Sequence, residues 1–419
     1  MKRIASLSMG WMRSIVATAY VVSASCGGVS ATADRWDGEV RDSAGLRIVQ
    51  NGARGLWAQG SAWTVRPGLS VGSAPGETDD LVAVADLAID SRGRVLVLDI
   101  VARQVRVFDE RGEFAGTIGR SGEGPGEFSR FMTSVMVDPA DSVIVPDWGQ
   151  ARVSVFAPDG TFARQFSALP RVEGQGWKRL SDGGFLLRGV TIGRDQQNNY
   201  TTYDALYRTN PDITAIDTLI EFDYPRSNLG GSGAPIAPLI VNAAFWTRLG
   251  DGRIAWSSLD RDQVLITAAD GAPHSILRHV AWTREQLTEQ HRAIMKERFR
   301  EKFRLMGANP DVVDNIGLLY DETLPALTAL QAGPENTLWV QRMGDVTAID
   351  PMVINTNDRT DGLGGEVWDV FDGELRFLGS VRLPPRFRIL RFSDNSIWGV
   401  RKDEMDVELV ERLDLMRTQ

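Results

Sequence analysis

One cysteine, Cys26, occurs in the 419 residues. No intramolecular disulfide can form, so the fold must rest on apolar packing even in an oxidising compartment. Histidine is almost as scarce, with only His274, His279 and His291 present. His274 and His279 stand five apart in a stretch with strand character, and an odd offset on a strand sends two side chains to opposite faces. That spacing argues against a shared zinc site. The glycine-rich run GRSGEGPG at 119–126 lacks both the Lys-Ser/Thr and the following helix that a phosphate cradle needs. Long apolar runs are missing too, and nothing matches the roughly 20 uncharged residues of a membrane-crossing helix. Acids outnumber bases 55 to 46, for a net charge of −9. That balance opposes generic binding to nucleic acid or to anionic membranes.

The N-terminus is distinctive. Residues 1–25 contain Lys2, Arg3 and Arg13 and no acid, followed by an apolar run at 15–24. This is the charged and apolar layout of a secretory signal, expected to be absent from the mature protein. Its three basic residues leave with it, taking the net charge from −9 to −12. Two processing sites compete. Ala31-Thr32-Ala33 fits the A-x-A pattern, whereas Ser23-Ala24-Ser25-Cys26 has the layout of a lipoprotein box, with Ser23 where Leu is usual and Gly27-Gly28 following. Cys26 is thus either a lipidation site or is discarded with the signal. The expected location is outside the cytoplasm, as a periplasmic protein or a lipoprotein tethered to the membrane through Cys26. Residues 26–61 read as an N-terminal segment, and 62–419 as a single domain.

The chain repeats itself. Asp90, Asp99, Phe108, Gly112 and Phe114 recur 48 residues later, without a gap, as Asp138, Asp147, Phe156, Gly160 and Phe162. Each copy divides into four short β-rich runs separated by Gly, Pro, Asp or Asn, and four strands per repeat is the unit of a propeller blade. A third copy keeps the 19-residue step from Gly93 to Gly112 as Gly252 to Gly271, with Ser258 in place of the aspartate. Fainter blades are expected at 177–222, 324–383 and 387–415. The last shows only three strands. Residues 62–77 resemble the blade-ending 113–127 and supply the fourth, closing the ring and removing exposed sheet edges. The expectation is an all-β, six-bladed β-propeller with an N-terminal strand completing the last blade.

The runs VLDIVARQVRVFDERG and VPDWGQARVSVFAPDG, each with a terminal Asp, an R-V-x-V-F-like strand and a turn closing on Gly, D-x-x-G in the first and A-P-D-G in the second, resemble NHL repeats. The linker GRSGEGPGEF resembles that of six-bladed propellers found as bacterial exported lipoproteins. The resemblance implies fold and export and assigns no activity.

Antiparallel strands dictate where the long insertions go. Connections between strands one and two, and three and four, share one face; all others share the opposite face. The long insertions at 191–202, 223–240, 282–323 and 343–365 all belong to the second set, which is expected to be the binding face. The 282–322 segment opens with Thr283-Arg284-Glu285-Gln286, a capping-box pattern, and Leu287, Ile294, Met295, Phe299, Phe303 and Met306 recur at helical spacing. An amphipathic helix packed over the propeller is expected. No catalytic set emerges. Trp148, next to Asp147, is the aromatic candidate for ligand contact, and Asp86 the carboxylate candidate. Asp99 and Asp147 read as turn-stabilising repeat residues. The expected function is a binding or scaffold propeller without a cofactor, recognising a protein or small molecule and not nucleic acid. The alternative is a calcium-assisted hydrolase or lactonase, since lactonase-type propellers hold calcium with axial carboxylates.

Overall fold

A computed structural model describes residues 36–57, 62–72, 77, 79–167, 173–194, 200–222, 236–240, 244–305, 309–315, 317–320, 322–346, 364–403 and 407–417. The expected signal segment 1–25, Cys26 and the processing site at 31–33 lie outside the described residues. Among those described, no helix is long and apolar enough to cross a membrane.

Six antiparallel sheets follow one another along the chain and form a six-bladed β-propeller. Blade 1 is Val84–Ile89, Val95–Asp99, Gln104–Phe108 and Phe114–Ile118. Blade 2 is Met136–Val137, Val143–Asp147, Arg152–Phe156 and Phe162–Ser167. Blade 3 is Glu173–Arg179, Phe185–Arg194, Tyr200–Thr209 and Ile216–Glu221. Blade 4 is Ala244–Arg248, Ile254–Ser258, Gln263–Thr267 and Pro273–His279. Blade 5 is Leu327–Ala332, Leu338–Met343, Gly364–Phe371 and Phe377–Arg382. Blade 6 takes Phe387–Ser393, Ser396–Lys402 and Glu408–Arg417 from the C-terminus. Its fourth strand is Trp63–Val71, running antiparallel to Glu408–Arg417 with Trp63 opposite Arg417 and Val71 opposite Val410.

Why the second strands are continuously apolar follows from the ring. In blade 1, Val95 and Val97 pack with Trp398 and Val400 of blade 6, whereas Leu96 and Leu98 pack with Val143 and Val145 of blade 2. A strand covered on both faces has no polar side. Burying each such aliphatic side chain contributes about 1.5–3 kcal/mol.

Hydrogen bonds link the inner strands around the axis. Val135 N donates to Asp86 Oδ2 between blades 1 and 2, and Trp177 N to Ser134 Oγ between blades 2 and 3. Ala332 N donates to Thr247 Oγ1 between blades 5 and 4, and Arg388 Nη2 to the Val84 carbonyl between blades 6 and 1. Val84 N also donates to Glu408 Oε2 of blade 6 at 2.7 Å.

The N-terminal segment contributes more than the closing strand. Glu39–Ser43 and Leu46–Asn51 form a hairpin, and the second of these pairs parallel with Pro273–His279, so blade 4 has six strands. Next, Leu56 N and Trp57 N donate to the carbonyls of Phe377 and Leu378 on the outer strand of blade 5. The segment thus runs along blades 4 and 5 before entering blade 6.

Helix α1 (Glu289–Leu305) begins later than the capping-box reading placed it. Gln286 is drawn into a bridge with Thr323. The cap is formed instead by Thr288, whose hydroxyl accepts from His291 N while His291 Nδ1 accepts from Thr288 N. This is the reciprocal capping geometry with His in place of Glu. Met295, Phe299 and Phe303 then pack on Trp282, Leu287 and Leu324 over blades 4 and 5.

Candidate binding face

The antiparallel order within each blade puts the 2–3 connections and the blade-to-blade connections at one end. The strands that flank all four long insertions place them in these connections, although 195–199, 223–235, 306–308 and 347–363 within them lie outside the described residues. Two of them join directly, since Ile236–Ile240, ahead of blade 4, pairs parallel with Gly317–Tyr320, ahead of blade 5. The opposite face carries short turns such as Asp90 to Gly93 and Asp109 to Gly112, each closed by a Gly N–H donating to the Asp carbonyl.

On the insertion-bearing face of blade 2, Trp148 follows the end of the second strand in a 3-10 turn, Trp148–Gln150. Its ring meets Phe131 at 4.4 Å between centroids, and the Arg130 guanidinium lies 5.3 Å from the Phe131 centroid. Trp148 is half-buried, and Phe131 is 38% exposed. The same connections of blade 1 expose Val82 and Val101, at 53% and 61%, on either side of Asp99. Trp148 therefore belongs to a partly exposed aromatic pair with a neighbouring cation.

The repeat aspartates support this surface from beneath. Asp147 Oδ2 accepts from Ser129 N at 2.7 Å, and Oδ1 accepts from Ser129 Oγ and Gln150 N. Asp99 Oδ2 accepts from Val82 N, and Oδ1 from Val101 N and Ala102 N. Each fully buried carboxylate ties a 2–3 connection to the strand entering its blade. These bonds account for the recurrence of Asp99 as Asp147 in the next blade.

Asp86 lies elsewhere, on the inner strand of blade 1 beside the axis. Its oxygens accept from Leu87 N at 2.8 Å and Val135 N at 3.1 Å. Burial raises its pKa above the ordinary carboxylate value, against the opposing pull of Arg391 and Lys178. The structure therefore does not bring Asp86 and Trp148 into one site. Among the described residues, no group of three or more His, Cys, Asp or Glu side chains is placed to share a metal ion. His274 is exposed and His279 buried. His279 meets Trp282 at a tilt and Phe371 and Phe377 edge-on.

Sequence reasoning passed over Phe131 and Arg130, although their proximity to the second repeat aspartate was a usable signal. It also passed over Lys178 and Arg391, which come near Asp86 only through the ring. The GRSGEGPG run is a structural connector. Arg120–Ser121 pairs with Glu127–Phe128, and Arg152 donates to the carbonyls of Glu123, Gly124 and Glu127.

Residues 76–168, spanning blades 1 and 2, match the family described as 6-bladed beta-propeller. Among solved structures, the chain is similar to a member of the DUF4221 family from Bacteroides vulgatus at 9% identity, with TM-score 0.54, covering 86% of this chain and 99% of that one. It is also similar to a Bacteroides fragilis protein proposed to be exported, at 12% identity, with TM-score 0.50, covering 88% and 99%. A search of curated proteins gives no match. The chain is a six-bladed β-propeller, a scaffold that leaves function to its surface loops.

Proposed function

We propose that this is an exported binding propeller that recognises a protein or ligand on its insertion-bearing face through loops and the Trp148–Phe131 pair. The observation that carries the reading is sidedness. All four long insertions start and end at strand ends of one face, two are paired through Ile236–Ile240 and Gly317–Tyr320, and the exposed Val82, Val101 and Phe131 lie in connections of that face. Rings carried on connections that the buried Asp147 carboxylate holds in place present apolar area with little ordering cost on binding. The secretory-type N-terminus supports export, with Cys26 as the membrane tether if it is acylated. The Bacteroides fragilis relative is likewise proposed to be exported. The reading requires no cofactor, and the net charge of −9 opposes nucleic acid as the partner.

The test is photo-crosslinking in the native host, with the reactive residue placed at Val101 or Phe131 on one face and at Glu110 in a short turn on the other. Discrete adducts from the first two positions and none from Glu110 support the proposal. Equal labelling from both faces, or adducts from Glu110 alone, refutes it.

A further inference from the structure

Around the axis, Lys178 and Arg391 occupy equivalent places on blades 3 and 6. Lys178 lies opposite Leu186 in its blade, and Arg391 opposite Trp398. Leu186 and Trp398 each pack toward the following blade, with Ile254 and with Leu87 respectively. Three blades apart in a ring of six, the two cations stand across the axis from one another.

Neither cation is neutralised by a direct contact. The Arg391 Nε donates to the Leu87 carbonyl at 3.0 Å, which orients the guanidinium and leaves both terminal nitrogens without a partner among the described residues. The Lys178 ammonium makes no hydrogen bond or ion pair among the described residues and stays accessible to water although protein surrounds it. Asp86, the nearby carboxylate, has both oxygens occupied by backbone N–H groups and forms no ion pair with either cation. Two uncompensated cations and one carboxylate give this level of the axis a net positive charge in a protein that is otherwise acidic.

We propose that the axis of the propeller holds a binding site for a small oxyanion, a carboxylate or phosphate group, gripped between the Lys178 ammonium and the Arg391 guanidinium. Arg391 supplies a planar pair of donors suited to two oxygens, and Lys178 supplies a point charge from the other side. Asp86 limits affinity through like-charge repulsion with the ligand. Protein on all sides strengthens both attractions relative to open water. The protein that surrounds the axis and the facing Arg391 both lower the Lys178 pKa, with Asp86 opposing, and a bound anion would favour the charged ammonium. This site is separate from the insertion-bearing face and stands whether or not that face takes a partner.

The experiment is calorimetric titration of the purified mature protein with citrate and, separately, with inorganic phosphate at low ionic strength, against a chloride control. Saturable binding of one anion per chain is expected, and whichever probe binds identifies the oxyanion class. K178Q and R391Q are each expected to weaken it by about tenfold or more, the loss of one charge-assisted bond. K178R retains binding and D86N tightens it. Lys178 makes no structural bond, so K178Q reports on the site even if R391Q perturbs folding, and R391K then serves as the second variant. Undetectable binding of both anions by the wild-type protein, or unchanged affinity in K178Q, overturns the proposal.

Discussion

The side chain of Asn51 reaches across the fold to Phe377, whose backbone N–H donates to Asn51 Oδ1 at 2.7 Å. The same oxygen accepts from Trp36 Nε1, while Nδ2 donates to the carbonyls of Leu375 in blade 5 and Arg278 in blade 4. One fully buried amide thus ties the N-terminal hairpin to two blades at once, with all its hydrogen-bonding capacity directed at fixed partners. Asn51→Ala should cost about 2–3 kcal/mol, because it strands buried donors and acceptors. Urea unfolding measures this, and a loss below experimental error would show that the hairpin is not coupled to the ring.

Asp147→Ala removes the acceptor for Ser129 N, Ser129 Oγ and Gln150 N. We expect a loss of about 2–3 kcal/mol together with an altered near-UV spectrum, because Trp148 and Phe131 stand on the connections it joins. A fully stable variant would contradict the structural role assigned to the repeat aspartates.

Gly119 has φ +74°, and a Cβ there would lie 2.1 Å from the Phe128 ring. Gly119→Ala should therefore destabilise the connector between blades 1 and 2 by about 1–3 kcal/mol. Differential scanning calorimetry should show a lower Tm, and an unchanged or raised Tm would count against the described connector.

Much of the fold was legible because blades 1 and 2 preserve an ungapped 48-residue register. That register persists because Asp99 and Asp147 each accept from the N–H three residues on and from a backbone N–H of the connection entering the blade. The closing strand was legible because Trp63–Val71 repeats a blade-ending pattern. The hairpin on blade 4 was not legible, since its parallel partner Pro273–His279 is remote in sequence and leaves no local mark. The start of helix α1 was misplaced because Thr283-Arg284-Glu285-Gln286 satisfies the local capping rule, but long-range pairing of Gln286 with Thr323 overrides it. Trp148 was legible as a candidate through its adjacency to a repeat aspartate. The cations around Asp86 required knowledge of which blades face each other.

His279 offers a pH test. Its Nδ1 accepts from Ala281 N at 3.0 Å, while buried Nε2 has no partner among the described residues. Burial lowers its pKa below 6.5; Asp369 and Asp37 oppose that shift and Arg342 assists it. The neutral form is therefore favoured in the fold. The stabilisation is complete above pH 6.5 and is lost as pH falls from there through the lower folded value, because the unfolded chain binds the proton first. Urea midpoints from pH 7.5 to 5 should fall with decreasing pH, and His279→Phe should flatten that slope. An equal slope in the variant would assign the effect to other groups.

The most direct test of the central claim is hydrogen–deuterium exchange on the protein isolated with its native partner, compared with the protein alone. Recognition by the insertion-bearing face predicts slowed exchange at 79–82, 100–103, 129–133 and 148–151, with the turns at 91–93, 109–112 and 158–161 unchanged. Slowed exchange confined to those turns would place the binding surface on the opposite face and contradict the account.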